Sequence, residues 1–492
     1  MSKALQKSAI ALAIGLTFSS SAFAQSNMAV INQESSTEDG NNVYVEQGGF
    51  LNWAYADQIG NGNDTYLLQL DQLQTAEAYV MGNFNTISAE QTGFFNKLEA
   101  DVIGNENELT GIQAGDSNEA TIYFLGSAGT GYLEQVGSYN IASADTAGDS
   151  NFASISQLGD NNWSQFQITG SGNEFDSYQE GTLNESGFFD ASGSDNLFLS
   201  EQIGDDNVGG VVGASGDLNS IGIQQFGSTN TFIAQNLAGN ENYVDVYQDG
   251  TNNEFLVQPI QGDNNEVAVD QVGDANVVEA PYGMVGNQNT VYTHQNGVNN
   301  YAVFSTEGDR HVIEVKQRGD NNIAVAESYG ENNTVYIQST GDDNFNAVAL
   351  LGSDNNSRSQ QIGNSNTAEI VIAGDDNEID SFQDGNENTL LAYSYAGGTT
   401  SNNDLQSEQT GDINLIDTII GGNDNLLTFS QEGNNNVIAG TDGSFIVGGS
   451  GNDVDIQQVG NSNVVNGAQL SDGNVMSVYQ QGDYNVATVV QY

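Results

Sequence analysis

The sequence contains no cysteine and only two prolines, Pro259 and Pro281. Without cysteine no disulfide framework can hold the fold, so its stability comes from elsewhere. Basic residues are nearly as scarce: seven Lys and Arg stand against 65 Asp and Glu, a net charge of −58. Nucleic-acid binding needs Lys and Arg to neutralise phosphates, and this composition excludes it. An anionic membrane surface would repel the chain as well. Hydrophobic residues make up 37% of the chain, below the roughly 45–50% of a globular domain, so only a thin core can be buried. His294 and His311 are the only histidines, and no serine has a positioned base in any recognisable pattern. The reading is therefore non-enzymatic, with no catalytic residue, metal ligand or cofactor. Carboxylates recur too regularly for a glycosidase pair and read as a solvated face. The glycine-rich stretch at 126–131 lacks the following helix that a phosphate-binding loop requires.

Long apolar runs are missing too, apart from one near the start. Lys3 and Lys7 precede the run AIALAIGLTF, and Ala22-Phe23-Ala24 forms a small-x-small cleavage site. This is the pattern of an export signal, and the run is shorter than the ~18 residues that span a bilayer. Residues 1–24 are read as a signal peptide with cleavage between Ala24 and Gln25, residues 25–42 as a polar segment, and residues 43–492 as a repeat region.

What the chain has in abundance is a repeat. Gly-x-x-Asn recurs in register about 34 times, and from Gly82 to Gly181 a glycine falls every 11 residues without a miss. The run from Gly286 to Gly385 does the same. A period of 11 also fits a right-handed coiled coil, but a glycine and an asparagine in each unit cost about 1 kcal/mol or more of helix stability. Between the turns the residues alternate with period two, the signature of strands. In NEVAVDQVG, Asn265, Val267, Val269 and Gln271 point one way while Glu266, Ala268 and Asp270 point the other. The second and fourth positions after the asparagine carry no charge, whereas acids collect at the first, third and fifth, as at Glu119, Glu174, Asp245 and Glu369.

Glutamine two residues before the glycine recurs on alternate units, giving the triplets Gln91-Gly93-Asn96, Gln113-Gly115-Asn118, Gln135-Gly137-Asn140 and Gln157-Gly159-Asn162. Later copies are Gln271-Gly273-Asn276, Gln361-Gly363-Asn366, Gln458-Gly460-Asn463 and Gln480-Gly482-Asn485. Glycine suits a turn that needs φ > 0, and asparagine tolerates left-handed geometry. The full repeat is thus strand-turn-strand-turn over 22–23 residues. One such rung cannot bury its inner face alone, but a stack of rungs can. The expected fold is all-β: a solenoid of about 20 rungs with two facing parallel sheets, amyloid-like. Inward Gln and Asn are costly to bury unpaired; in a stack each amide can bond its copy above and below. The frame falters at Asp71, Gln74, Gly129, His311 and Ser471. Insertions at 396–404 and 440–449 are expected to be surface loops, and the prolines to sit late in their strands, where a lost amide matters least.

Gln-x-Gly-x-x-Asn followed by a small apolar residue resembles the curlin repeat of curli amyloid subunits. The C-terminal YQQGDYNVATVVQY is especially similar, with Gln480, Gly482, Asn485, Ala487, Gln491 and Tyr492. The resemblance covers residues 43–492 and departs from the usual handful of repeats in having many more. It implies a secreted subunit that polymerises with itself, head to tail, into extracellular fibres for biofilm or adhesion. It further implies export through an outer-membrane channel and a surface nucleator as partners, with residues 25–42 in the place of the secretion signal. The last unit, 482–492, is an ordinary repeat, which leaves an edge for templating. The alternative is a non-polymerising or calcium-dependent extracellular solenoid adhesin, since Asp and Asn crowd the turns and oxygen ligands suit calcium. Calcium β-rolls, however, have period nine with aspartate as the fixed residue; here asparagine is fixed.

Overall fold

The computed structural model describes residues 26–37, 39–394, 400–441 and 443–492. Ala22, Ala24 and Gln25, the expected cleavage site, lie outside the described residues. Every element among the described residues is a strand. The chain divides into two compact units, residues 1–241 and 242–492. Each is a β-solenoid of two parallel sheets, not a barrel, and together they make about 21 turns.

In the first unit, strand Glu108–Asp116 lies between Thr86–Phe94 and Thr130–Ser138, parallel to both, with Gln113 beside Gln91 and Gln135. The chain then turns, and Glu119–Leu125 joins the opposite sheet between Lys97–Ile103 and Ile141–Ala147. Alternation sets the faces: Ala120, Ile122 and Phe124 are buried, while the residues between them are not. Aromatic side chains thicken the core locally. Phe175 and Phe198 stack with centroids 4.6 Å apart, and Phe188 packs 5.0 Å from Phe198. Such pairs add about 0.5–1.5 kcal/mol beyond the area they bury.

Most turns use two left-handed residues. At 115–118 these are Gly115 (φ 118°) and Ser117 (φ 60°). A Cβ on Gly115 would sit 2.0 Å from the carbonyl oxygen of Gly137 in the next rung, so the stacking itself demands glycine here.

From Gly181 to Gly262 the glycine spacing alternates between 12 and 11, and the added residue has a structural cause. Strand Glu185–Ser192 shifts register against Trp163–Thr169, and Asp190 takes φ 53°. Gly213 (φ 76°) and Asn236 (φ 58°) repeat this one rung apart, linked by hydrogen bonds from Gly213 N to Phe189 O and from Asn236 N to Val212 O, both 2.9 Å. The extra residue is a β-bulge stacked over three rungs, not a longer turn.

The polar segment at 25–42 contributes to the stack. Strand Met28–Glu34 pairs in parallel with Trp53–Asn61, so paired structure begins ahead of residue 43.

In the second unit, Ile323–Glu331 lies between Tyr301–Asp309 and Phe345–Ser353 in the same manner. The prolines fall at breaks. Pro259 separates Glu254–Val257 from Ile260–Gln261, and Pro281 follows Val277–Ala280, with Met284–Val285 beyond. Both halves of each broken strand still pair with the neighbouring rung. Of the insertion at 440–449, expected to be a loop, residues Phe445–Val447 form a strand paired with Thr418–Ile420, and Phe445 and Val447 are fully buried. The apolar Phe-x-Val pattern returns the chain to the sheet. Of the other insertion, residues 395–399 lie outside the described residues.

Candidate functional site: amide ladders and sheet edges

The inward glutamines form ladders along the stack. Nε2 of Gln91 donates to Oε1 of Gln113 at 2.8 Å, Gln113 to Gln135 at 2.8 Å, and Gln135 to Gln157 at 2.9 Å. The second amide proton crosses to the opposite sheet: Gln91 donates to Thr75 O, Gln113 to Lys97 O and Gln135 to Glu119 O. Both donors and the acceptor are therefore used, which removes the penalty for burying an amide. In the second unit Gln271 donates to Gln295 at 3.0 Å and Gln295 to Gln317 at 2.8 Å. Ser339 interrupts the series, donating to Gln361 at 3.2 Å. The ladder resumes from Gln361 through Gln383, Gln409 and Gln431 to Gln458 and Gln480.

The turn asparagines run the other way. Nδ2 and the backbone N of Asn118 both donate to Oδ1 of Asn96 in the preceding rung, and Nδ2 also donates to Gly137 O at 2.8 Å. Asn140 and Asn162 repeat this geometry, as do Asn276 and Asn366. Asn463 donates to Asn436, and Asn485 to Asn463. The glutamine ladder thus donates toward the C-terminal rungs and the asparagine ladder toward the N-terminal ones. Gly93, Gly115, Gly137, Gly159, Gly273, Gly363 and Gly460 all have positive φ, and a Cβ on any of them would come within 1.9–2.2 Å of the next rung's carbonyl oxygen. At Gly482 (φ 97°) the nearest atom would be 3.9 Å away.

Three features escaped the sequence reading. Asn27 and Gln33 extend both ladders into the polar segment: Asn52 N donates to Asn27 Oδ1 at 3.1 Å, and Gln33 Nε2 to Gln58 Oε1 at 3.0 Å. The signal was present as Asn-x-Ala-x-Ile-x-Gln at 27–33, without its glycine. A third ladder lies in the turns, where the residue after the glycine accepts a backbone N–H from the rung before it. Asp320, Asp342, Asn364, Asn386 and Asp412 form one such series, with distances of 2.7–3.0 Å. The recurring Gly-Asp, Gly-Asn and Gly-Ser pairs were its signal. The third is the burial of His311. Its Nδ1 accepts from Ser328 Oγ at 2.8 Å and lies 3.4 Å from Asn333 N, while Nε2 meets Glu307 O at 3.2 Å. Burial pulls its pKa below the ordinary value. His294, in contrast, is outward and pairs with Asp270 at 2.9 Å.

Glu77 and Glu99 face each other in neighbouring rungs, but one column of the wet face separates its charges with tyrosine. Tyr79 stands between Asp57 and Asp101, and Tyr123 between Asp101 and Asp145, in successive rungs. Like charges are then about 10 Å apart rather than 5 Å. Burial, with Glu99 and Glu77 nearby, still raises the pKa of Asp101, and burial raises that of Asp145. Tyr292 donates to Glu266 at 2.6 Å, and this bond pushes its phenol up to about 12. Among the described residues no group of three or more His, Asp or Glu side chains is placed to hold a metal ion.

The first strands of the first unit and the last strands of the second have one strand partner each among the described residues. Met28–Glu34 and Asn42–Gln47 pair only with Trp53–Asn61 and Asp64–Gln72. Val475–Gln481 and Val486–Gln491 pair only with Asp453–Val459 and Val464–Gln469. Val486 is 70% exposed.

Parallel sheets, in-register amide ladders and glycine turns define a structural β-solenoid of stacked repeats. A model of the curlin associated repeat matches residues 39–70, 148–176 and 312–341, so these three segments are similar to curlin repeats. No curated protein matches it.

Proposed function

We propose that this chain is a secreted structural subunit that polymerises into extracellular curli-like amyloid fibres serving biofilm formation or adhesion. The observation that carries the reading is the state of the outer strands. Val475–Gln481 and Val486–Gln491 repeat the Asn, apolar, apolar, Gln inward pattern of the internal rungs, yet present an unpaired edge. Such an edge templates another strand. A second copy docking its Met28–Glu34 or Asn42–Gln47 edge would extend the same ladders. The leader at 1–24 supports export, and the curlin repeat supports an outer-membrane channel and a surface nucleator as partners. Electron microscopy of the purified mature chain, left to stand, tests the reading. Unbranched fibres are expected; a stable monomer at high micromolar concentration after weeks would overturn it.

A further inference from the structure

One outer face of the second unit carries a groove that the amide ladders do not explain. It holds about 370 Å³, within the roughly 300–1,000 Å³ of small-ligand sites. Two outward columns form its walls. Arg358, Asp380, Gln406 and Thr428 stand side by side on four successive strands of one sheet. Gln360, Phe382, Glu408 and Ser430 do the same two residues further along each strand. Ser407 and Phe429, both buried, lie between the columns, so the backbone of their strands is the floor. The depression follows from side-chain length: Arg358, Gln360 and Phe382 are long, whereas Thr428 and Ser430 are short. Three rung steps make it about 14 Å long, and two residues of strand make it about 6.7 Å wide.

The charged groups here are left without partners. Elsewhere on the surface Lys97 pairs with Glu119, Arg310 with Glu331, Lys316 with Glu314 and His294 with Asp270. Arg358 and Asp380 are cross-strand neighbours of opposite charge, an arrangement that ordinarily attracts. Yet they form no ion pair. The Arg358 guanidinium turns over the ring of Tyr336 instead, 5.7 Å from its centroid, and the Asp380 carboxylate faces the groove alone. Gln360 donates its amide to Gln338 Oε1 at 3.1 Å, which leaves its own oxygen for a ligand.

We propose that this groove binds an uncharged glycan chain lying along the stack. Phe382 offers a ring face to the C–H face of a sugar, and the surrounding polar groups fix its orientation. Every sugar hydroxyl both donates and accepts. One chain can therefore donate to Asp380, Glu408 and the amide oxygens of Gln360 and Gln406 while accepting from Arg358. An anionic chain would meet both carboxylates and a protein of net charge −58. A cationic chain would meet Arg358 here and find acids without a cation elsewhere on the same surface. A width of about 6.7 Å is too narrow for an α-helix, whose diameter is about 10–12 Å. The site needs only one copy of the chain, so it stands whether or not copies polymerise.

Isothermal titration calorimetry of the mature chain with maltohexaose, cellohexaose and N-acetylchitohexaose tests the proposal. At least one of these sugars should bind. Phe382→Ser and, separately, Ser430→Tyr should each weaken that binding about tenfold or more. Ser430→Tyr fills the groove with a residue that strands favour, so its circular dichroism should match that of the wild type. Tyr178→Ser, an outward aromatic change in the first unit, should leave binding unchanged. No binding of any of these sugars at millimolar concentration, or binding that either groove variant keeps in full, overturns the proposal. Tighter binding of hexagalacturonate than of every neutral sugar would assign the groove to an anionic chain and overturn it as well.

Discussion

Gln458 donates its amide to Gln480 at 2.9 Å, and Gln480 passes a proton on only to Val464 O in the opposite sheet, at 3.2 Å. In Gln271 the corresponding amide serves Gln295 as well as backbone oxygens of the facing sheet. The two glutamines differ in what removal does. Gln271→Leu strands the acceptor of Gln295 and the donor of Gln248, a loss of about 1–3 kcal/mol that denaturant unfolding measures. Gln480→Leu costs the folded chain less but removes the donor aimed beyond the last rung. It should slow fibre elongation several-fold more than Gln271→Leu does. Equal slowing by both would argue against growth at this edge.

Gly482 and Gly460 make a sharper pair. Alanine at 460 would place its Cβ 2.2 Å from Gly482 O within the folded chain, so Gly460→Ala should disrupt the rung and lower stability. Alanine at 482 meets open space, so Gly482→Ala should cost only backbone strain, about 1–3 kcal/mol. A docked copy would set its own carbonyl against that Cβ. Seeded growth from the C-terminal edge should therefore stop with Gly482→Ala while circular dichroism stays that of wild type. Normal growth would mean that copies do not continue the turn stack.

His311 gives the second unit a local pH dependence. Burial holds its folded pKa below its unfolded one, so the unfolded chain binds the proton more readily as pH falls. The stability it contributes is complete above the unfolded pKa of about 6.5 and is lost as pH drops through the folded value. His311→Asn restores the repeat's own residue and should stabilise the chain more at pH 5 than at pH 8, as read by thermal unfolding. The same gain at both pH values would remove the titration from the account.

Charge governs assembly in the opposite sense. Outward carboxylates in neighbouring rungs lie within the ~8 Å Debye length of 0.15 M salt, and like charges facing across strands repel. Raised ionic strength should shorten the lag before fibres appear. So should lowering pH toward the isoelectric point near 4.1. Within the folded chain, the raised pKa values of Asp101 and Asp145 contribute stability below the ordinary carboxylate pKa that is lost as pH rises through the folded values. Sodium and calcium salts at matched ionic strength should act alike, and chelator should leave the strands intact. Strands that form only on adding calcium would favour the calcium-dependent solenoid.

The inward frame was legible because stacking makes every rung solve the same problem. Asparagine, two apolar positions and glutamine recur at fixed offsets, so Gln91, Gln113 and Gln135 declared the ladder that joins them. Asn27 and Gln33 were not legible, because a single copy without a glycine carries no period. Asp320 and Asp342 looked like solvating turn residues, since nothing in a sequence distinguishes a carboxylate facing water from one accepting a backbone amide. The bulge at Asp190, Gly213 and Asn236 appeared only as a spacing of 12; one added residue can enter a rung at many places, and stacking against the neighbouring rungs chooses among them. Phe445 was hidden inside a glycine-rich insertion whose return to the sheet depends on the pocket waiting for it.

The central claim is that copies continue the stack of rungs end to end. X-ray diffraction from aligned fibres of the mature chain tests it most directly. The account predicts a sharp reflection at about 4.7–4.8 Å along the fibre axis, because strands lie across the axis and rungs repeat along it. Fibres whose 4.7–4.8 Å reflection lies perpendicular to the axis, or which lack it, would contradict the account.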